Sequence, residues 1–477
     1  MRKRFEAQMT LGCTPIDQVE IPTKTRASMA ALVAALQYIY THREWNQRIF
    51  DLLSKKVMAG KKKTGRRGMS LWEIFVLGQV RLCLNISYDE LHYRANYDTL
   101  LRGILGVLPT DFSIGKQYEY QNIYDNVTLL DEALLRQIND VIVEVGHQVF
   151  KKKEADALRL KTDSFVVETD VHFPTDYNLL WDSARKCIDI AGRLPVVGWR
   201  KGKHWKRTLK GLMRTVGKIS ARGGPNKKKR LQAAVSAYLS KACVLERKVR
   251  EVLVGYTPVS PKEITRMMQL KEYHQMLIKH IDLTGRRLLN GEKIPHAEKV
   301  FSIFLPWTEL IKKGKRNPSV EFGKSLVVTS DQYHLMVDWQ IAERQSDNEL
   351  TLGIAGRLKE KYTIQSLSVD KGFSDMADKA VLETWIPQVI MPKKGKRNQA
   401  EKARESDPEF KTLKNKHSAV ESNINELEHR GLDRCPDRNQ KNFTRYVGLA
   451  ITAYNLHKIG KEILRQWRSK AARKKAA

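Results

Sequence analysis

The stretch Asp163-Ser164-Phe165-Val166-Val167-Glu168-Thr169 decides how the rest of this chain is read. Its β-branched and aromatic residues, continuing to Phe173, predict a strand over Ser164–Phe173 with an acid at its start. A second acid, Asp370, closes an apolar run in Ser368-Val369-Asp370-Lys371-Gly372-Phe373 and marks another strand end. A third, Glu421, lies in Ala419-Val420-Glu421-Ser422-Asn423-Ile424-Asn425, a stretch with helical spacing. Two strands and one helix, far apart in sequence, thus each carry a single carboxylate.

The elements between these acids follow from the same patterns. Pro174-Thr175-Asp176 stops the first strand and opens a helix over Leu179–Ile190, and helical spacing resumes at Leu231–Val254 and Ile264–Leu289. Lys324–Thr329 and His334–Ile341 flank the turn Ser330-Asp331-Gln332 and predict a hairpin. A helix near Asn348–Lys361, a strand near Thr363–Val369, a helix near Met376–Glu383 and a strand at Gln388–Pro392 follow. The charged segment 393–407 reads as a mobile linker. Helices over 409–430 and 439–468 and the solvated basic tail Arg473-Lys474-Lys475 complete the chain.

Before the first acid the chain is helical. Met29, Leu32, Val33, Leu36 and Tyr40 form one stripe, continued by Ile49, Leu52 and Leu53, which predicts a helix over 26–58. The basic linker Lys61-Lys62-Lys63-Thr64-Gly65-Arg66-Arg67-Gly68 separates it from two capping boxes, Ser70 with Glu73 and Ser87 with Glu90. The second box opens a short helix, and Asp98 caps another carrying Leu100, Leu101, Ile104 and Leu105. Two short helices with a tight junction fit either a helix-turn-helix or a plain αα-hairpin. A helix around Leu129–Val149 and the run Lys151-Lys152-Lys153 close this part.

At 477 residues the chain suggests two or three domains, and 42% hydrophobic residues suffice for a substantial core. Lys and Arg outnumber Asp and Glu 85 to 53, a formal net charge of +32. Such a field favours a polyanionic partner, most simply nucleic acid, although a ribosomal or membrane-surface protein would share it. Five scattered cysteines without a Cys-x-x-Cys pair read as reduced cytosolic thiols. The basic start leads into no apolar segment, so a signal peptide is not expected, and no run of about 18 apolar residues suggests a membrane span.

The flanks of the three acids resemble those of the DDE transposases of bacterial insertion sequences, whose first acid follows Asp-Ser/Thr-x-Val-Val-Glu-Thr and whose second lies in Asp-Lys-Gly-Phe/Tyr. The resemblance runs from about residue 20 to the end and is least clear around 185–315. It implies a multidomain α+β protein: a helical, helix-turn-helix-like DNA-binding region (1–150), then an RNase H-like α/β catalytic domain (151–180 and 316–435). A basic helical insertion (181–315) interrupts that domain between its first and second strands, and a C-terminal helix with a basic tail (436–477) follows. It further implies Asp163, Asp370 and Glu421 as catalytic residues holding two Mg²⁺ ions, with Mn²⁺ as a substitute. The implied reaction cuts 3′ ends at terminal inverted repeats with water and joins them to target DNA. The implied partners are double-stranded DNA and a second copy of the chain on paired ends, in a bacterial cytoplasm. One departure is Asp170, where Asn is expected.

The residues keep alternatives open. A lone Asp at a strand end is most often a turn former, Asp170 and Asp176 compete with Asp163, and the helix of Glu421 also carries Glu426 and Glu428. Glu421, Asn425 and Glu428 share a face from which Glu426 is turned away, and Gly431 suits the stop of that helix. His172 reads as a packed ring. From 191 to 245 there are 15 Lys or Arg and no Asp or Glu. There Trp199, Arg200, Lys201, Lys203, Trp205, Lys206, Arg207, Lys227, Lys228, Lys229 and Arg230 suit phosphate contacts and base stacking, or else two core tryptophans beside a solvated face. Lys371, Lys393, Lys394, Lys396 and Arg397 suit phosphates near the acids. Rival readings are an RNase H-like nuclease or resolvase without strand transfer, and an inactive DNA-binding regulator.

Overall fold

The computed structural model describes residues 13–60, 68–108, 116–153, 155–195, 202–312 and 319–476, and among these, seven α-helices precede the first strand. They are α1 (Ser28–Thr41), α2 (Arg43–Val57), α3 (Leu71–Cys83), α4 (Tyr88–Tyr97), α5 (Thr99–Ile104), α6 (Tyr120–Val127) and α7 (Glu132–Val149). The helix expected over 26–58 is broken at His42, which is extended (φ −96°, ψ 104°). The two halves differ in kind. α1 is buried on nearly every side, whereas α2 buries only a stripe of Trp45, Ile49, Phe50, Leu53 and Val57, which it lays against α7. The Ser70 capping box forms in full. The Ser87 box is half-made: Ser87 accepts the Glu90 N–H, but the Glu90 carboxylate turns to Arg94 at 2.7 Å.

The first strand, β1 (Leu158–Thr169), begins six residues earlier than its composition suggests and ends before Pro174. Leu158, Leu160 and Thr162 alternate inward, and pairing with neighbours on both sides holds the basic segment extended. Asp163 is therefore in mid-strand, not at a strand end. The chain then runs through α8 (Asp176–Ala191), α9 (Gly202–Ala221), α10 (Lys227–Gly255) and α11 (Pro261–Leu288). These belong to a separate unit, Val171–Leu310, with its own core of Leu180, Cys187, Val235, Tyr238, Leu245 and Leu277.

The other unit combines Met1–Asp170 with Ile311–Ala477. The strand β2 (Glu309–Lys312) straddles its boundary, and the unit adds β3 (Val320–Ser330), β4 (Met336–Ile341), α12 (Asp347–Lys361), β5 (Ile364–Val369), α13 (Met376–Trp385), β6 (Gln388–Ile390), α14 (Gln399–Ser406), α15 (Pro408–His417), α16 (Ala419–Leu427), β7 (Arg434–Cys435) and α17 (Gln440–Ala476). The segment expected to be a mobile linker instead contains α14. An Asn398–Glu401 capping box starts that helix, and Lys393 and Arg397 are tied to Glu401 and Glu405. The basic tail continues α17 and is not a separate end.

All strands join one mixed sheet of order β2-β3-β1-β5-β6, with β4 also on β3 and β7 on β1. β3 runs antiparallel to β1 and β4 antiparallel to β3, while β5 is parallel to β1 and β6 parallel to β5. The fold is thus mixed α+β. α12 covers the sheet with Leu350, Ile354 and Leu358, and the first half of α17 is enclosed by α1, α3 and α7. No helix among the described residues is long and apolar enough to cross a membrane.

Candidate active site

The centre of the sheet brings the acids together. Thr162 of β1 pairs with Val369 of β5. Continuing that parallel register by one residue sets Asp370 beside Asp163, on strands about 4.8 Å apart and on the same face. Asp370 ends its strand as the sequence suggests and leads into a 3₁₀ turn, Lys371–Phe373. Glu421 lies in the first turn of α16, which packs on β1. Val420, Asn423, Ile424 and Leu427 face inward and leave Glu421 and Asn425 exposed.

Asn423 fixes that helix. It donates to Ser330 Oγ at 3.2 Å, and its Oδ1 meets His334 Nδ1 at 3.1 Å and accepts from the Tyr454 hydroxyl at 3.0 Å.

Electrostatics register the convergence. Burial pushes the Asp163 carboxyl up to about 6, and Asp370, Asp347 and Glu421 push it the same way. Against them works the Ser164 N–H, which donates to Asp163 Oδ1 at 2.7 Å.

Asp347 is the residue that sequence reading missed. It opens α12, accepts a 2.8 Å hydrogen bond from Ser164 Oγ, and has its carboxyl raised by burial and by Asp370. A Cβ on Gly372 would come within 3.1 Å of it, so this glycine lets the turn after Asp370 close over Asp347. The available signal was the capping box Ser346–Glu349, which fixes the start of α12 at that residue.

His417 was also missed. Its Nδ1 is 3.0 Å from Ser368 Oγ, and Asp370 and Glu421 both act on it, against burial that lowers its pKa.

The competing acids are occupied elsewhere. Asp170 is exposed beyond the end of β1 and acts on Arg434, which pairs with Glu168 at 2.9 Å. Asp176 pairs with Arg287 and lies one residue inside α8, whose cap is Thr175. His172 lies 3.3 Å from Asp182. Glu426 faces α17, where Lys458 at 2.6 Å and His457 hold its carboxyl well below the usual range. Gly431 has φ +95°, as a helix stop requires.

Among the cations named from sequence, Trp199, Arg200 and Lys201 lie outside the described residues, as does the side chain of Lys203. Trp205 packs half-buried against the insertion core under Lys241. Lys206 pairs with Asp189, and Lys227 donates to the Ser220 carbonyl. Arg207, Lys228, Lys229 and Arg230 are exposed. Lys371 is exposed beside Asp370, Lys393 is bound to Glu401, and Lys394 acts on Asp347. The α4–α5 pair has the tight junction expected, Asp98 capping α5. Yet α5 has six residues, and its Arg102 is spent on the carbonyls of Leu108, Ala95 and Lys116.

No known family model, curated protein or solved structure matches this chain. The reading of the site therefore rests on its donors. Four carboxylates with no thiolate form a hard, all-oxygen set of the type that suits Mg²⁺ or Mn²⁺. Among the described residues, no three Asp, Glu, His or Cys side chains stand as a ready-made metal cage. The acids share electrostatic range and not a closed coordination shell.

Proposed function

We propose that this chain is a DDE transposase that cleaves the 3′ ends of its own DNA element and joins them to target DNA. One observation carries the reading: the β1–β5 register sets Asp370 beside Asp163, Ser164 joins Asp163 to Asp347, and α16 packs on β1 with Glu421 in its first turn. The strand arrangement supports it. Taking β1, β3, β4, β5 and β6 as first to fifth, the order is third-second-first-fourth-fifth, with only the second antiparallel to the rest. That order supports an RNase H-like reading, in which the helical insertion interrupts the domain between its first and second strands.

In this reading Asp163 is the shared ligand, Asp370 and Glu421 flank it, and Asp347 stands as a fourth acid on the side of Ser164. When bound, a pair of Mg²⁺ or Mn²⁺ ions supplies Lewis-acid stabilisation to the attacking and leaving oxygens of a phosphodiester. Ser164 orients two of the acids at once, through its N–H to Asp163 and its hydroxyl to Asp347. Exposed Lys371 is placed to meet a phosphate beside Asp370.

Strand transfer of a pre-cut end oligonucleotide in Mg²⁺ tests the reading. Asp163→Ala, Asp370→Ala and Glu421→Ala should each cost on the order of 10³-fold in rate, the equivalent of about 4 kcal/mol of transition-state stabilisation, with DNA binding retained. Full activity in all three variants would remove the assignment. Cutting without joining by the unaltered protein would favour a nuclease or resolvase.

A further inference from the structure

A cleft of about 560 Å³ opens between the start of α1 and the C-terminal half of α17. Arg26, Lys458, Lys461, Arg465 and Arg468 line it, with Glu462 as the one carboxylate among the described residues on its wall. The four cations of α17 are spaced three, four and three residues apart and so share one helix face. Like charges at that spacing repel one another, and acids of the protein offset only part of the excess. Glu426 lies 2.6 Å from Lys458 and 3.7 Å from Lys461, and Glu462 lies 2.6 Å from Arg465. Among the described residues Arg26 and Arg468 are paired with no carboxylate, and both are exposed, as are Lys461 and Arg465.

The cleft also has an aromatic side. Phe150 and Tyr333 line it, their ring centroids 5.6 Å apart, and His334 lies beside them. His334 is hydrogen-bonded to Asn423, two residues from Glu421 on α16. The cationic cleft therefore abuts the helix that carries one of the four acids. Cations interleaved with aromatic rings match the alternating phosphates and bases of a nucleic-acid strand better than they match a compact inorganic anion.

We propose that this cleft seats the DNA strand flanking the scissile bond, with its phosphates on Arg26, Lys461, Arg465 and Arg468. The proposal rests on the transposase reading of the neighbouring acids and extends it to the path of the substrate.

Binding of a labelled end duplex to the full chain, followed by anisotropy across a salt series without divalent metal, is the test. The triple variant Arg26→Glu/Lys461→Glu/Arg468→Glu alters exposed side chains only, and its thermal unfolding should match that of the parent. Its plot of log affinity against log salt should be shallower by about 2 to 3, near 0.9 per lost phosphate contact. The control Lys55→Glu/Lys402→Glu, at exposed sites away from the cleft, should leave the slope unchanged. An unchanged slope in the triple variant, or an equal change per charge in the control, overturns the proposal. So does a free-anion result, in which inorganic phosphate raises the melting temperature of the parent but not of the variant while DNA affinity stays the same. Normal strand transfer by the Asp163→Ala, Asp370→Ala and Glu421→Ala variants would remove the transposase reading without touching the slope result, so the two failures are distinguishable.

Discussion

Single residues in this protein act by where burial leaves them. His280 on α11 is fully enclosed, and among the described residues neither ring nitrogen has a hydrogen-bond partner. Burial, helped by Lys279, holds its imidazole down to about 4. The unfolded chain takes up a proton near pH 6.5, whereas the folded insertion refuses one until about pH 4. Stability is therefore complete above 6.5 and is lost as pH falls toward 4, by on the order of 3 kcal/mol. Urea unfolding of the insertion should show about 2 kcal/mol of this loss between pH 7.5 and 5, and His280→Leu should remove most of it. An equal acid loss in the variant would refute the assignment. Nothing in the local sequence marked His280 for this role, because the burial of α11 comes from packing on α8 and α10. Asp163 is the opposite case: its flanking residues marked it, and folding supplied the three acids that act on it.

Elements show the same division. The start of α12 and the end of β5 were readable from capping and turn chemistry, which are local. The limits of β1 were not, since its basic first half is held extended by β3 and β5 and not by its own propensity. The break at His42 was hidden for a similar reason, since α2 packs on α7, whereas α14 carried a local signal in its Asn398–Glu401 capping box that went unread. The contact of α17 with α1 depends on a glycine: a Cβ at Gly460 would stand 1.7 Å from the Ala31 carbonyl oxygen. Gly460→Ala should force the two helices apart and cost about 1–3 kcal/mol. The urea midpoint should fall accordingly, and an unchanged midpoint would show that the helices yield freely.

Across the whole molecule, positive charge gathers along helix faces. On α9 the exposed residues Arg207, Lys210, Arg214 and Lys218 follow one another at three- and four-residue intervals, opposite the buried Leu209 and Val216. Replacing all four with Ala should weaken duplex binding and flatten its salt dependence, with the strand-transfer rate at saturating DNA unchanged. A lowered saturating rate would instead tie this face to the reaction. By itself the sequence determined the acid-bearing motifs, the basic insertion and most helices, because side-chain periodicity and capping act within a few residues. Only the tertiary structure decided that Asp347 and His417 stand near Asp163 and Asp370, that Trp205 packs half-buried on the insertion core, and that a cationic cleft abuts α16. Those facts depend on contacts between residues tens to hundreds of positions apart, and no local pattern encodes them.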